Sequence, residues 1–258
     1  MAKVYAIISG KGGVGKTTST INLGVALNKL GKNILMIDGN LSTPNMGLHL
    51  GTPIVPITIN HILDGQARLE DAIYEHESGT KIILASLSVK ECEKISYKRF
   101  LDITKKLRKI ADHILIDSAA GLGKETKSIM AISDEMIIIT NPEMAAVTDA
   151  LKTIKLAEEM NKPIKGVIIT KYTGDKTDMP LTNIKEMLEI PILGIIPKED
   201  SIRESQSIKN SVILTHPKSW ATKTYLNTSK RLLGEDIRFK MKRKGGILSI
   251  FLRKMRLK

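Results

Sequence analysis

The chain has 258 residues, a formal net charge of +13, 42% hydrophobic residues and only 3% aromatic ones. That length suits one large α/β domain with a core of aliphatic side chains. The lone Cys92 excludes an internal disulfide or a multi-thiolate site, and no apolar run approaches a membrane span.

Met1-Ala2-Lys3 leads straight into Val4-Tyr5-Ala6-Ile7-Ile8, a buried-strand pattern without a signal-peptide apolar region, so a cytoplasmic setting is expected. Gly10-Lys11-Gly12-Gly13-Val14-Gly15-Lys16-Thr17 follows and fits the phosphate-cradling loop G-x-x-x-x-G-K-[ST]. Leu23, Leu27 and Leu30 then fall at helical spacing, with Ile21 and Val25 on another side, and Gly31 is a plausible stop. Strand, glycine loop and helix in that order are what the motif needs, and they disfavour a chance match. Its glycines let successive N–H groups point at phosphate oxygens, and the helix N-terminus adds partial positive charge. Lys16 is expected on the β- and γ-phosphates and the Thr17 hydroxyl on Mg²⁺, with Thr18 closing the set.

Further strands are expected at Asn33–Asp38, Lys81–Ala85, His113–Asp117, Glu135–Thr140, Lys165–Thr170 and Ile192–Ile196. Between them lie a loop-like stretch from Gly39 to Pro56, a basic amphipathic helix from Tyr97 to Ile110 and helices near Glu143–Met160 and Pro217–Leu233. Some helix is possible around Asn45–Leu50. This alternation predicts a P-loop nucleotidase whose mostly parallel sheet carries helices on both faces. In such a sheet, ligands bind beyond the carboxyl ends of the strands. Asp117 ends an apolar strand, as a metal-holding acid would; the plainer alternative is a cap for the next helix. Asp38 has the same placement and could share the water shell of the metal, while Gly121 and Gly123 leave the loop after Asp117 free to move.

Lys11–Thr18, read as Lys-Gly-Gly-Val-Gly-Lys-Thr-Thr, resembles the deviant Walker A loop of the MinD/ParA ATPases, and within them the MinD branch. The likeness extends to Asp117-Ser118-Ala119-Ala120-Gly121, Thr140-Asn141-Pro142-Glu143 and Gly194-Ile195-Ile196-Pro197. It implies an ATP-dependent homodimer in which Lys11 reaches the partner subunit's nucleotide; without it, Lys11 reads as a solvated loop lysine. It also implies that Thr170, Lys171 and the turn from Pro197 through Glu199 to Asp200 surround the adenosine, and places Asn45 in a switch loop and Asp149 where partners are sensed. Two positions depart from the pattern. The resemblance calls for Asp-x-Asp after the second strand, whose second acid positions the attacking water, but the chain reads Asp38-Gly39-Asn40. An amide can orient water but cannot take its proton, so ATP hydrolysis to ADP and phosphate, with Lys11, Lys16 and Asn40 as its catalytic groups, is expected to be slow. Ala119 stands where proline is usual.

Nine of the positive charges lie between Arg238 and Lys258 without an acidic residue, which leaves +4 for residues 1–237. The division expected is an ATPase domain over 1–237 and a tail over 238–258. Wound as a helix, Ile247–Leu257 gathers Ile247, Leu248, Ile250, Phe251, Leu252, Met255 and Leu257 on one broad face after the Gly245-Gly246 break. That pattern reads as a basic interfacial anchor for anionic lipid at the inner face of the cell membrane. A packing helix needs no flanking cations, and a nucleic-acid tail needs no wide apolar face. The expectation is therefore an ATP-driven, dimerising, membrane-associating switch that positions a division site or similar assembly with an unidentified activator or cargo. The alternatives are a ParA-like DNA-partition ATPase, a redox or metallocluster carrier using Cys92 across a dimer, and a nucleotide-binding scaffold with little turnover.

Overall fold

The strongly apolar strands expected before residue 200 all enter one sheet. The computed structural model describes residues 2–88, 97–243 and 246–250; Cys92 lies outside them. The sheet contains β1 (Lys3–Ser9), β2 (Ile34–Asp38), β3 (Tyr74–Glu75), β4 (Lys81–Ile83), β5 (His113–Ala120), β6 (Glu135–Thr140), β7 (Ile164–Tyr172) and β8 (Ile192–Pro197). Their order is β3-β4-β2-β5-β1-β6-β7-β8, parallel except where β3 meets β4. Ile34, Leu35, Met36 and Ile37 are all fully buried, which explains why β2 shows no polar alternation: both faces of a parallel sheet are covered.

The covering helices are α1 (Lys16–Lys29), α2 (Met46–His49), α3 (Ile59–Asp64), α4 (Tyr97–Leu107), α5 (Lys124–Ile132), α6 (Met144–Glu159), α7 (Leu181–Leu188), α8 (Asp200–Ser207), α9 (Val212–Thr215) and α10 (Trp220–Leu232). Alternation along β1 divides the core. Val4, Ala6 and Ile8 pack with residues of α3 to α7, including Phe100, Ile129, Val147 and Ile184. Tyr5 and Ile7 pack on the other face with Leu23 and Leu27 of α1, Met46 of α2, Val212 of α9 and Tyr225 of α10. Each fully buried aliphatic side chain contributes roughly 1.5–3 kcal/mol to holding a helix on the sheet.

The seven strongly apolar strands sit where expected, with ends within three residues; the largest difference is at β5, which continues past Asp117 to Ala120. The sequence reading had no counterpart for β3, α3, α5, α7, α8 or α9, all of them short elements.

The tail needs correction. Its expected helix does not form over the described part of Ile247–Leu257: Phe239–Arg243 (β9) pairs antiparallel with Gly246–Ile250 (β10). The remainder of that stretch, 251–257, lies outside the described residues. Lys240 and Lys242 alternate with Phe239 and Met241, a period of two that suits a strand, and a glycine pair serves a hairpin as readily as a hinge. The register sets Ile250 opposite Phe239 and Leu248 opposite Met241, so these four positions share one face of the ladder. The approach to the hairpin is tied to the body through Arg231. Its guanidinium donates to the carbonyls of Ile237 (2.9 Å) and Leu193 (3.0 Å) and lies 3.7 Å from the centre of the Phe239 ring.

The position of β1 fixes the location of the site. β1 lies between β5 and β6, and the connections on its two sides lead in opposite directions. Its carboxyl end therefore opens onto the crevice of a topological switch point.

Candidate functional site

The loop 10–15 leaves β1 at that crevice and enters α1. Gly13 and Gly15 have φ of 74° and 87°, left-handed values that a side chain resists, and they curl the chain back on itself. No side chain caps the start of α1 behind Gly15, so its first N–H groups are left for another acceptor. Gly10 is constrained by contact instead: a Cβ there would collide with the Asp149 carbonyl on α6. Gly10→Ala should cost about 1–3 kcal/mol of stability through this overpacking and weaken nucleotide binding; thermal melts with and without Mg-ATP will read both.

Lys16 begins α1 and is only 8% exposed. Its Nζ lies 3.1 Å from Asp117 Oδ1 and also donates to the Ser118 carbonyl. Thr17 donates through Oγ1 to Asp117 Oδ2 at 2.5 Å, and Thr20 Oγ1 is 3.3 Å from Asp117 Oδ1. Parallel register sets Asp38 of β2 beside Asp117 of β5, and both are fully buried. Asp38 accepts the N–H groups of Asn40 (3.2 Å), Asn45 (3.1 Å) and Met46 (2.9 Å), so the loop after β2 wraps round it. Burial first, and then repulsion by Asp117, push the Asp38 carboxyl up to about 7. Two inward-facing carboxylates served by one lysine form a site short of positive charge, as a metal-dependent site should be.

Among the described residues there is no group of three or more His, Cys, Asp or Glu able to hold a metal. Mg²⁺ does not require one, because it is usually held through one or two carboxylates, waters and substrate phosphates. Thr17, Asp117 and Asp38 offer hard oxygen donors of that kind, so the residues fit the ion.

Asn40 is buried, and both ends of its amide are engaged. Oδ1 accepts from Thr43 N (3.3 Å) and Thr43 Oγ1 (3.1 Å), while Nδ2 donates to the Thr43 carbonyl. It can turn towards a water only by releasing Thr43. Lys11 lies on the rim, its Nζ 3.4 Å from Glu143 Oε2. Thr170 is buried against the loop, its hydroxyl 2.5 Å from the Val14 carbonyl, and Lys171 donates to the Gly13 carbonyl at 2.7 Å. Pro197 ends β8, with Lys198 N donating to the Tyr172 carbonyl at 2.9 Å. The Glu199 carboxylate takes the N–H groups of Trp220 (3.3 Å) and Ala221 (2.6 Å), so it caps α10 rather than turning to the loop. The sequence reading missed Gln206, whose Nε2 donates to Thr18 Oγ1 at 2.7 Å, and Glu125, which binds Ser42. Neither belongs to a motif; only the fold brings them there.

Residues 5–212 match the CobQ/CobB/MinD/ParA nucleotide binding domain. The chain belongs to this family. An uncharacterized ATP-binding protein of Methanocaldococcus jannaschii is 32% identical over 244 residues, which is 95% of this chain and 92% of that protein. The septum site-determining protein MinD of Pyrococcus horikoshii, complexed with Mg-ADP, superposes with a TM-score of 0.86 at 33% identity, covering 90% of this chain and 96% of that one. MinD in the MinC:MinD cell division protein complex of Aquifex aeolicus gives 0.85 at 31%, covering 93% and 99%. The chain is thus a MinD-like P-loop ATPase of the MinD/ParA family, with ATP and Mg²⁺ as its ligands, on the sheet the sequence led us to expect.

Proposed function

We propose that this MinD-like ATPase is a membrane-associating switch that dimerises when ATP is bound and relaxes on hydrolysis. The observation that carries the reading is the position of Lys11. It stands on the rim of the site, 43% exposed, paired with Glu143, itself 60% exposed. Met144, 62% exposed, follows on the same rim, where an apolar group suits a subunit contact. An exposed ion pair contributes little, so Lys11 can leave Glu143 for a phosphate presented by a second subunit.

Inside one subunit, the N–H groups of the loop and of the first turn of α1 bind the phosphates. Lys16, now on Asp117 and Ser118, would serve the phosphate oxygens, and Thr17, Asp117 and Asp38 are the residues that would hold Mg²⁺ and its waters. The metal supplies neutralisation of charge on the transferred phosphoryl group. Thr170 and Lys171 brace the loop from behind. Asn40 stays on Thr43 except when it turns to a water, which keeps turnover slow. Phosphoryl transfer relies on positioning and charge more than on a strong base, so the missing acid slows the reaction without ending it.

Residues 238–258 carry nine cations and a run of apolar residues, which suits the surface of an anionic bilayer at the inner face of the cell membrane. No helix among the described residues is long and apolar enough to cross one. The four apolar positions sharing a face of the hairpin, with lysines on alternate positions, keep the tail amphipathic with a strand period. One such tail binds weakly; two held in a dimer bind far better, because the second attachment is intramolecular. The Aquifex neighbour was solved as a MinC:MinD complex, and a partner of that kind, as activator or cargo, fits the switch.

Co-sedimentation with anionic liposomes under ATP, ADP and no nucleotide tests the reading. ATP alone should bring the chain down, and deleting 247–258 should abolish this without changing nucleotide affinity. Sedimentation of the deletion variant would refute the anchor, and ATP-dependent retention on non-specific DNA with a steep salt slope would favour a partition ATPase instead.

A further inference from the structure

Two loops border the acids of the site, and the structure joins them through one side chain outside every motif. After β2, Asn40 closes on Thr43, and the fully buried Leu41 pins the loop to the core. After Asp117, Gly121 and Gly123 lead into α5, whose first turn contains Glu125. A carboxylate there is expected to serve the free N–H groups of its own helix. The Glu125 carboxylate crosses to the other loop instead: Oε1 accepts both Ser42 N (3.0 Å) and Ser42 Oγ (2.8 Å). Beside it, Thr126 Oγ1 donates to the Ala119 carbonyl at 3.2 Å, which ties the same turn to the strand end carrying Asp117.

These contacts close a ring. Asp38 holds the N–H of Asn40, Asn40 holds Thr43, the adjacent Ser42 is held by Glu125, Thr126 holds Ala119, and Asp117 returns to Asp38 across the sheet through the Gly39 N–H to Asp117 carbonyl bond of 2.8 Å. The Glu125–Ser42 link is the only part of this ring that joins the two loops at their solvent edge. Its two bonds to one charged oxygen are charge-assisted yet exposed, strong enough to set a geometry and weak enough to open during a cycle.

We propose that Glu125 is a positioning residue for ATP turnover: through Ser42 it makes the loop at 40–46 and the loop after Asp117 move as one unit. Asn40 is too firmly engaged with Thr43 to search for a water alone, so the placement of that loop against the second one sets how often a productive arrangement forms. The inference rests on assigning Asp38 and Asp117 to the metal, and it concerns rate rather than binding, because Glu125 touches neither the glycine loop nor Lys16.

The experiment uses the full chain as wild type, Glu125→Ala, Glu125→Gln, Ser42→Ala and the Glu125→Ala/Ser42→Ala double variant. Steady-state ATP hydrolysis is read beside amide hydrogen exchange over 40–46, nucleotide-free and with Mg-ADP. Glu125→Ala should lower kcat about tenfold with KM within twofold, since small misplacements of supporting groups act on rate. Exchange over 40–46 should rise by about tenfold in the same variant. Glu125→Gln keeps an acceptor oxygen for both Ser42 donors and should restore most of the rate and protection. The double variant should be no slower than Glu125→Ala, because the two residues form one link. Unchanged exchange in Glu125→Ala overturns the proposal even if the wild type turns over too slowly to assay. Glu125→Gln as slow as Glu125→Ala with the loop still protected also overturns it, since the carboxylate would then act chemically and not by position. Loss of wild-type hydrolysis with the exchange pattern intact would count against the switch cycle and leave the clasp standing.

Discussion

Lys16→Ala should lower ATP affinity by about 10²–10³-fold, with turnover falling at least as far, and should also destabilise the nucleotide-free protein. The first effect follows from the phosphate-binding role proposed for Lys16 at a largely water-excluded position, where one preorganised donor commonly carries two to three orders of magnitude. The second follows from what Lys16 does when no phosphate is present. Asp117 is fully buried and Lys16 is its ion-pair partner at 3.1 Å. Removing one partner of a buried pair leaves the other uncompensated, at a cost of about 3–5 kcal/mol. Part of that cost is avoided by protonation, because Asp38 next to it already has its carboxyl pushed up to about 7.

The pH dependence has a definite sign. A carboxyl whose folded pKa lies above its unfolded value binds more protons in the folded state. Its stabilising effect is complete below the unfolded value, near 4, and is lost as pH rises through about 7. Nucleotide-free wild type should therefore melt lower at pH 8 than at pH 6 through this group. Lys16→Ala, with two buried carboxylates and no lysine between them, should show a steeper fall that extends to higher pH. Calorimetric titration with Mg-ATP and melting curves at the two pH values measure both consequences. Wild-type affinity in Lys16→Ala would remove the phosphate loop from the site.

Which parts were legible follows from how each signal is carried. The phosphate loop, Asp38 and Asp117 lie at the ends of strands buried on both faces, so continuous apolar runs mark the strands and the residue that breaks each run marks the site. Glu125, Gln206 and the Glu199 cap act through contacts with residues 83, 188 and about twenty positions away. No local period encodes such contacts. The short helices α3, α5, α7, α8 and α9 bury only a few residues each, so their patterns are brief and easily lost among loops. The tail was misread for a different reason: a glycine pair beside alternating Lys and apolar residues supports either a hinge with a helix or a hairpin, and periodicity over five residues does not separate them.

Lys11→Ala should leave the subunit folded, with Mg-ADP affinity within about twofold of wild type, while abolishing ATP-induced dimerisation and lowering turnover by 10² or more. Lys11 contributes little to the single subunit. Its pair with Glu143 is exposed on both sides, 3.4 Å long, and worth about 0–1 kcal/mol. In the proposed dimer its value would lie across the interface, where a cation supplied in trans to a transferring phosphoryl group accounts for several orders of magnitude in related chemistry. Glu143 then acts as a resting place that competes with that use. Glu143→Ala should free Lys11 and tighten the ATP dimer by up to about fivefold, the equivalent of one exposed pair. Sedimentation velocity with ATP and with a slowly hydrolysed analogue will show the two variants moving in opposite directions from wild type. If Lys11→Ala dimerises normally, the lysine is a surface charge and the dimer forms through other contacts. If Glu143→Ala also loses the dimer, Glu143 contributes to the interface itself. Opposite shifts would mean that the same lysine serves both the single subunit and the pair, with the γ-phosphate of ATP deciding between them.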